Sequence, residues 1–137
     1  MNRDQLIEEA KQASRQSYAP YSQFRVGAAI LTEDGTVFRG VNVENRSYGL
    51  AICAERSAIA AAVTSGRRTF QAIAVYSPDS DYPIPPCGAC RQVLSEFFEP
   101  ETPLYFVSRS GAVEEHTMRE VLPFDALHEL ATNQPRD

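Results

Sequence analysis

The placement of three cysteines limits what this chain can fold into more than any other feature of its sequence. Cys53 stands alone, whereas Cys87 and Cys90 form a Cys-x-x-Cys pair. An odd number of cysteines cannot all pair within one chain, and a reducing compartment disfavours disulfides. A Cys-x-x-Cys pair taken by itself is compatible with a metal site, a redox pair or chance. The pattern around the cysteines has to decide among these three interpretations.

The rest of the pattern predicts one α/β domain. Apolar spacing and breakers predict helices over 3–17, 53–65, 88–98 and 125–130, a short helix opened by a capping box at 117–120, and strands over 26–32, 37–43, 72–77, 104–108 and 113–116. A loop over 78–86 holds four of the nine prolines. This order predicts a three-layer α/β/α domain with a mixed five-stranded sheet and helices on both faces. The domain is expected to span 1–137, with a polar tail from about 131.

Composition excludes several classes of protein. Hydrophobic residues make up 43% and charged residues 23%, which is ordinary for a globular domain and argues against disorder. A formal net charge of −5 argues against nucleic acid as the main partner. The apolar runs are far shorter than the roughly 20 residues that a membrane span needs. Because acidic residues stand where a signal peptide would be apolar, a cytoplasmic protein is expected.

The three cysteines fall at the starts of two predicted helices. Cys53 opens the second helix, and Cys87 and Cys90 lie at the start of the third. A helix N-terminus stabilises thiolates, and clustered thiolates are good ligands for zinc. The two histidines, His116 and His128, lack ligand spacing to the cysteines and are expected to be surface or strand-end residues. Three protein ligands with one open position are typical of a catalytic zinc site rather than a structural one.

Glu55 lies two residues after Cys53 and admits two interpretations. An acidic residue in a first helical turn favours the helix dipole, whatever its function. Alternatively, Glu55 transfers protons beside a zinc-activated water, as in zinc deaminases with a His-x-Glu and Pro-Cys-x-x-Cys signature in which cysteine can replace histidine. Cys53-Ala54-Glu55 and Pro86-Cys87-Gly88-Ala89-Cys90 match both halves of that signature, 34 residues apart. The joint match favours the second interpretation.

With these two motifs, the sequence resembles the cytidine deaminase family, in its short, three-cysteine form. The similarity includes the segments Tyr18-Ala19-Pro20-Tyr21-Ser22, Phe24-Arg25-Val26-Gly27-Ala28-Ala29, Gly40-Val41-Asn42-Val43-Glu44-Asn45, Tyr48-Gly49-Leu50-Ala51-Ile52-Cys53-Ala54-Glu55-Arg56, Pro86-Cys87-Gly88-Ala89-Cys90-Arg91-Gln92 and Leu122-Pro123. It therefore covers most of the chain. It implies a hydrolase that deaminates cytidine and 2′-deoxycytidine to the uridines plus ammonia, in pyrimidine salvage.

The resemblance assigns the metal and the proton transfer. It implies one zinc per subunit, held by Cys53, Cys87 and Cys90, with Glu55 as the proton shuttle. Three thiolates and a bound hydroxide leave excess negative charge, which Arg56 would offset by donating hydrogen bonds to cysteine sulfurs. By pattern alone, Arg56 and, more so, Arg91 are expected to be surface helix cations.

The resemblance also assigns substrate contacts. Asn42 and Glu44 match a pair that binds the ribose hydroxyls, and alternation along a strand end puts both side chains on one face. Phe24 matches an aromatic residue that packs against the pyrimidine, although simple core filling explains it equally well. Ala54 would offer its backbone N–H to the ring carbonyl, and Tyr48 is assigned to the substrate pocket.

The resemblance implies a homotetramer whose active sites are completed by neighbouring subunits. Similar proteins place an aromatic residue three positions after the Leu-Pro pair, where this chain has Ala126. Phe124 follows Pro123 directly and could supply that ring from a shifted backbone, or it could pack into its own subunit.

Three alternatives stay open at this stage. A deaminase of a cytidine-containing antibiotic such as blasticidin S shares the cysteine motifs but lacks the Asn-x-Glu-Asn stretch found at 42–45. Polynucleotide editing conflicts with the net charge of −5. A non-catalytic, zinc-stabilised interaction module leaves Glu55 idle and needs a fourth ligand. No nucleic acid or membrane partner is expected.

Overall fold

The computed structural model of the protein describes residues 1–127, which form a mixed sheet with helices on both faces. The elements are α1 (Arg3–Ser14), β1 (Gly27–Thr32), β2 (Val37–Val41), a 3-10 turn (Tyr48–Leu50), α2 (Ala54–Thr64), β3 (Phe70–Tyr76), α3 (Gly88–Phe97), β4 (Pro103–Val107), β5 (Val113–Thr117) and α4 (Met118–Val121). The strand order is β2-β1-β3-β4-β5. Strands β3 and β4 run parallel, with α3 as their crossover, and the other described pairs are antiparallel.

The core has two layers because side chains alternate across the sheet. One layer packs α1 against the sheet and contains Leu6, Ile7, Ala10, Ala29, Leu31, Ala72, Ala74 and Val107. The other packs α2 and α3 against the opposite face and includes Ala28, Ile30, Ala58, Ile59, Ile73, Val75, Leu94 and Phe98. The predicted three-layer arrangement with five strands is confirmed.

Gly40 brings the beginning of α2 down onto the sheet. A Cβ atom at this position would lie 2.3 Å from the carbonyl oxygen of Ala54 and 2.3 Å from the amide nitrogen of Ala58. Only glycine therefore lets strand β2 approach the helix backbone so closely. This approach fixes the position of the first turn of α2, where the cysteine motif begins.

Some boundaries differ from the predicted ones because tertiary contacts end the elements early. Helix α1 ends at Ser14 rather than at residue 17, and the amide of Tyr18 instead donates to the carbonyl of Asn42. Strand β2 ends at Val41 rather than at residue 43, and Val43 instead forms isolated bridges with Tyr18 and Ile52. The segment between α1 and β1 thus packs against the end of β2.

The predicted helix ends are confirmed where a local signal specifies them. Gly66 adopts a φ of +93° after α2, and Thr117 and Glu120 form the reciprocal capping box of α4. The helix predicted at 125–130 is a turn as far as Leu127, and its remainder, His128 and the polar tail lie outside the described residues. Within residues 1–127, the structure contains no helix that is both long enough and apolar enough to cross a membrane.

Candidate active site

The three cysteine sulfurs converge between the starts of α2 and α3. Cys53 is the N-cap residue of α2, Cys87 is the N-cap residue of α3, and Cys90 lies in the first turn of α3. Their Sγ atoms all lie within 4.8 Å of one another, and those of Cys53 and Cys87 are 3.8 Å apart. Tetrahedral coordination with Zn–S bonds of about 2.3 Å would separate two sulfurs by about 3.8 Å. The donor set therefore fits a zinc ion.

The acidity of the thiols also bears on metal binding. A hydrogen bond from Cys90, assisted by Arg56 and Cys87, lowers the pKa of the Cys53 thiol to about 5. The same hydrogen bond, together with burial, raises the pKa of Cys90. The pKa values of these two thiols thus move in opposite directions, so removal of the Cys90 proton is the costlier step. A bound divalent cation releases such a proton, because metal ligands must be deprotonated.

Two arginines hold this region together. Arg56 donates from Nη2 to the sulfur of Cys53 at 3.4 Å, which is the contact that the family resemblance implies. This contact raises the pKa of Arg56. The alternative that Arg56 is merely a surface cation is wrong. Arg91 is not a free surface cation either, because its Nε donates to the carbonyl of Pro86 at 2.8 Å and its Nη1 to that of Val121 at 3.4 Å. Arg91 therefore joins the residue before Cys87 to the end of α4.

Glu55 is a buried carboxyl group beside the sulfurs. It is 4% exposed, and burial, reinforced by the negative charge of Cys53, raises its pKa to about 7. A carboxyl group with a pKa close to neutrality can both accept and donate a proton at physiological pH. A solvated helix-dipole partner would not be buried in this way.

Glu55 and two of the cysteines line one cavity of about 290 Å³, close to the lower limit of small-molecule sites. The residues that line it are Val26, Asn42, Glu44, Ala51, Ile52, Cys53, Ala54, Glu55, Val75, Ile84, Pro85 and Cys87. Six residues that the sequence assigns to the site therefore line this one cavity: Asn42, Glu44, Cys53, Ala54, Glu55 and Cys87. Cys53 makes no side-chain cap on α2, so its side chain takes none of the first amides of that helix.

Asn42 and Glu44 both line the cavity and both hold the segment between α1 and β1. The Asn42 amide oxygen accepts from the amide of Val26 at 2.9 Å and from the Ser17 hydroxyl, while its Nδ2 donates to the carbonyl of Phe24 at 2.8 Å. These contacts use both lone pairs of Asn42 and one of its two N–H donors.

Glu44 shows a similar pattern. Its carboxylate accepts from the amides of Tyr21 and Ser22, at 3.0 and 3.1 Å, and from the Ser22 hydroxyl. The hydroxyl contact is the main reason why the pKa of Glu44 is lowered. Three of about four acceptor positions on the carboxylate are filled, so one remains.

Three predicted aromatic contacts lie elsewhere on the surface of the described chain. Phe24 is 36% exposed and is not among the described residues that line the cavity, although its carbonyl is bound by Asn42. Tyr48 is 78% exposed and packs edge-on against Tyr21 beside an adjoining cavity of about 360 Å³. Phe124 is 92% exposed, so within one chain it does not pack into a core.

Sequence reasoning missed part of the cavity wall. Val26, Ile84 and Pro85 line it, yet they stand in the sequence as an ordinary strand residue and as part of a proline-dense loop. The position of that loop directly before Pro-Cys-x-x-Cys was the available signal. His116 lies on β5, stacked on Phe106 and paired with Glu114 at 3.0 Å, which confirms its predicted strand-end role.

Comparison with known proteins gives a consistent result. A family model described as the cytidine and deoxycytidylate deaminase zinc-binding region matches residues 1–105, which include all three cysteines. The cytidine deaminase of Halalkalibacterium halodurans is 51% identical over 123 residues, covering 90% of this chain and 92% of that protein. The crystal structure of cytidine deaminase from Burkholderia pseudomallei matches with a TM-score of 0.86 and 48% identity, over 90% of this chain and 98% of that one. A blasticidin-S deaminase from Bacillus cereus is less similar, at 31% identity over 87% of this chain and 88% of that protein.

Proposed function

Because this chain belongs to the cytidine and deoxycytidylate deaminase family, we propose that it hydrolyses the 4-amino group of cytidine and of 2′-deoxycytidine. The products are uridine or 2′-deoxyuridine and ammonia, as in pyrimidine salvage. The observation that carries this proposal is the convergence of three cysteine sulfurs beside a cavity that Cys53, Cys87 and the buried Glu55 line.

Cys53, Cys87 and Cys90 would hold one zinc ion per subunit. Bound there, zinc supplies the Lewis acidity that turns water into a nucleophile at neutral pH. Arg56 donates to the Cys53 sulfur and so offsets part of the negative charge of three thiolates. This offset matters because excess negative charge at the metal opposes the ionisation of water.

Glu55 moves the protons. Hydrolysis adds water across C4 and N3 and then expels the 4-amino group, so one proton must reach N3 and another must reach the leaving nitrogen. A buried carboxyl group with a pKa of about 7 can take a proton from water and deliver it to either nitrogen. Both transfers use one side chain, because N3 and the 4-amino group are attached to the same carbon.

The sugar is bound by the hydrogen-bonding capacity that Asn42 and Glu44 retain. Asn42 keeps one N–H donor, and Glu44 keeps one acceptor position. One donor and one acceptor suit a single hydroxyl group, which can accept and donate at once. Since both cytidine and 2′-deoxycytidine offer at least one ring hydroxyl, this pair accommodates both sugars.

The base is bound by the start of α2 and by aromatic residues. The buried Ala54 presents an uncapped amide to the ring carbonyl, and its small side chain allows close approach. Phe24 packs against the pyrimidine once its exposed ring turns toward the cavity beside Val26. Tyr48 closes the entrance from the adjoining cavity.

The active enzyme is a homotetramer with shared sites. Phe124, Tyr48 and Leu50 are 92%, 78% and 72% exposed in the single chain, and a neighbouring subunit would cover these apolar side chains. In this arrangement Phe124 reaches a neighbour's substrate cavity in place of the family's aromatic residue. The three thiol ligands need a reducing compartment, which is why we place the enzyme in the cytoplasm as a single deaminase domain.

Deamination of a blasticidin-like antibiotic is the second candidate. The relative with that name is 31% identical to this chain, against 51% for the cytidine deaminase, and the sugar-binding pair at 42–45 favours a nucleoside. Polynucleotide editing is disfavoured by the net charge of −5. A non-catalytic zinc module would not explain the buried Glu55.

A direct assay decides among these functions. Zinc-loaded protein is incubated with cytidine, 2′-deoxycytidine, blasticidin S and a cytidine-containing oligonucleotide, and deamination is followed by ultraviolet absorbance and ammonia release. Turnover of the two nucleosides above the other substrates is expected. Absence of turnover on both nucleosides by zinc-loaded protein would refute the proposal. Sedimentation that shows a monomer at micromolar concentration would refute the tetramer alone.

A further inference from the structure

The cavity wall is built from two segments that are distant in sequence. Val26 closes the segment between α1 and β1, whereas Ile84 and Pro85 belong to the loop between β3 and α3. The two segments extend from strands β1 and β3, which are paired as far as Gly27 opposite Tyr76. Beyond that last pair the sheet no longer sets the distance between the two segments.

One ion pair joins the two segments above the sheet. The backbone amide and Nε of Arg25 donate to one oxygen of Asp79, at 2.9 and 3.0 Å, and Nη2 donates to the other oxygen at 2.9 Å. Within residues 1–127, no other hydrogen bond connects the segment 15–26 with the loop 77–87. The pair bridges 54 positions of sequence.

Each partner is anchored on its own side. The amide of Asp79 donates to the hydroxyl of Ser77 at 3.1 Å, and Ser77 is 1% exposed. On the other side, the residues before and after Arg25 are both bound by Asn42, through the carbonyl of Phe24 and the amide of Val26. A path of hydrogen bonds and backbone bonds therefore runs from the sugar-binding Asn42 through residues 24–26 to the proline-dense loop.

The geometry gives this ion pair more weight than an average surface pair. A solvated ion pair contributes little, because water screens it and long side chains lose freedom. Here the carboxylate of Asp79 is three-quarters buried and accepts a two-pronged guanidinium contact plus a backbone amide. Such bidentate, charge-assisted contacts fix the relative orientation of their partners.

We propose that the Arg25–Asp79 pair sets the separation of the two cavity walls and thereby the affinity for the nucleoside. Neither side chain lines the cavity, so both are positioning residues that act through Val26, Ile84 and Pro85. The proposal rests on the proposed function, because the affinity concerned is that for cytidine. It assigns the pair to binding of the substrate and not to the chemical step.

The test compares Asp79→Asn, Arg25→Gln and the double variant with the wild type. KM for cytidine should rise about three- to tenfold in each single variant, as expected for loss of a charge-assisted contact, with kcat within about twofold. The double variant should be no worse than either single one, because both remove the same link. Amide hydrogen exchange in the loop 77–87 should accelerate in all three variants.

Arg67→Gln is the matched control. Arg67, which follows α2, pairs at 3.2 Å with Asp34, which lies 33 positions earlier in the turn after β1. Both residues lie away from the cavity. This variant should leave KM and exchange in the loop 77–87 unchanged. An unchanged KM in both single variants, additive effects in the double variant, or an equal rise of KM in Arg67→Gln would overturn the proposal.

The two hypotheses fail separately. If the wild type does not deaminate cytidine, the proposed function is wrong, and the exchange measurement alone decides whether the pair holds the loop. If the wild type is active while exchange in the loop is the same in Asp79→Asn as in wild type, the proposed function stands and the positioning role is wrong.

Discussion

Replacing Glu55 with glutamine separates proton transfer from every other property of the site. Glutamine has nearly the same size, so the 4% exposed position stays filled, and the three cysteines are untouched. The glutamine amide can neither take a proton from water nor deliver one to N3 or the 4-amino nitrogen. We therefore expect Glu55→Gln to keep its zinc and its fold while losing nearly all activity.

The size of the loss follows from the roles of the side chain. A positioned general acid or base contributes typically about 10²–10⁴-fold, which corresponds to about 2.7–5.4 kcal/mol of transition-state stabilisation. Because Glu55 serves both N3 and the leaving nitrogen in the proposed reaction, the fall in kcat should lie at or above the upper end of that range. KM should change far less, since the proposed sugar-binding residues Asn42 and Glu44 are unchanged.

Stability gives an independent readout. Burial raises the pKa of Glu55 to about 7 from an ordinary value of 4.5, so ionisation costs the folded protein stability as the pH rises through this interval. Glutamine carries no charge to bury. The free energy of unfolding of metal-free Glu55→Gln at pH 7 and above should therefore equal or exceed that of the metal-free wild type.

The assay measures kcat and KM for cytidine by absorbance, zinc content by mass spectrometry and unfolding by denaturant. Glu96→Gln, which changes an exposed glutamate on α3, is the control and should behave as the wild type. Activity of Glu55→Gln within about tenfold of wild type would show that Glu55 is only a partner of the helix dipole. Loss of zinc together with activity would show instead that its role is structural.

Other substitutions test the remaining parts of the site and fold. Cys87→Ser should bind zinc at least about 10–100-fold more weakly, as measured by competition with a chelator. Loss of a residue that only hydrogen-bonds to a metal ligand typically costs this much, so loss of a ligand itself should cost no less. Phe124→Ala should raise KM for cytidine about 2–13-fold with little change in kcat; a ligand-bound structure with Phe124 away from every active site would contradict this. Two neighbouring glutamates raise the pKa of His116, so its stabilising charge is present below pH 6.5 and is lost as the pH rises through the raised pKa. The wild type should accordingly lose up to about 1 kcal/mol over this interval relative to His116→Gln in denaturant titrations. Gly40→Ala should cost about 1–3 kcal/mol in the same titrations and weaken zinc binding, because the new methyl group meets the Ala54 carbonyl.

The parts of the molecule that sequence could predict are those specified by neighbouring residues. The sequence predicts the cysteines at helix starts, and the structure puts Cys53 and Cys87 at the N-caps of α2 and α3. The capping box at Thr117 and the stop at Gly66 are likewise local devices. Each of these signals lies within a few residues of the feature that it controls, so no knowledge of the tertiary structure was needed.

The parts that sequence could not predict depend on contacts between distant segments. Nothing near Arg25 indicates that it will meet Asp79, 54 positions later. The sequence pattern predicts Arg91 to be a surface cation. Its two acceptors are backbone carbonyls, which every residue type has, so the sequence does not indicate them. Helix α1 stops three residues early because Tyr18 bonds to the end of another strand.

Asn42 shows why the fold and the site cannot be assigned separately. Its amide group joins three positions of the segment between α1 and β1, and it keeps one donor for a ligand. Glu44 does the same with its carboxylate and keeps one acceptor position. Removing either side chain would therefore disturb the wall of the cavity as well as the proposed sugar contact. Loss of affinity in such a variant cannot by itself demonstrate contact with the sugar, whereas omission of single hydroxyls from the nucleoside leaves the wall intact and isolates that contact.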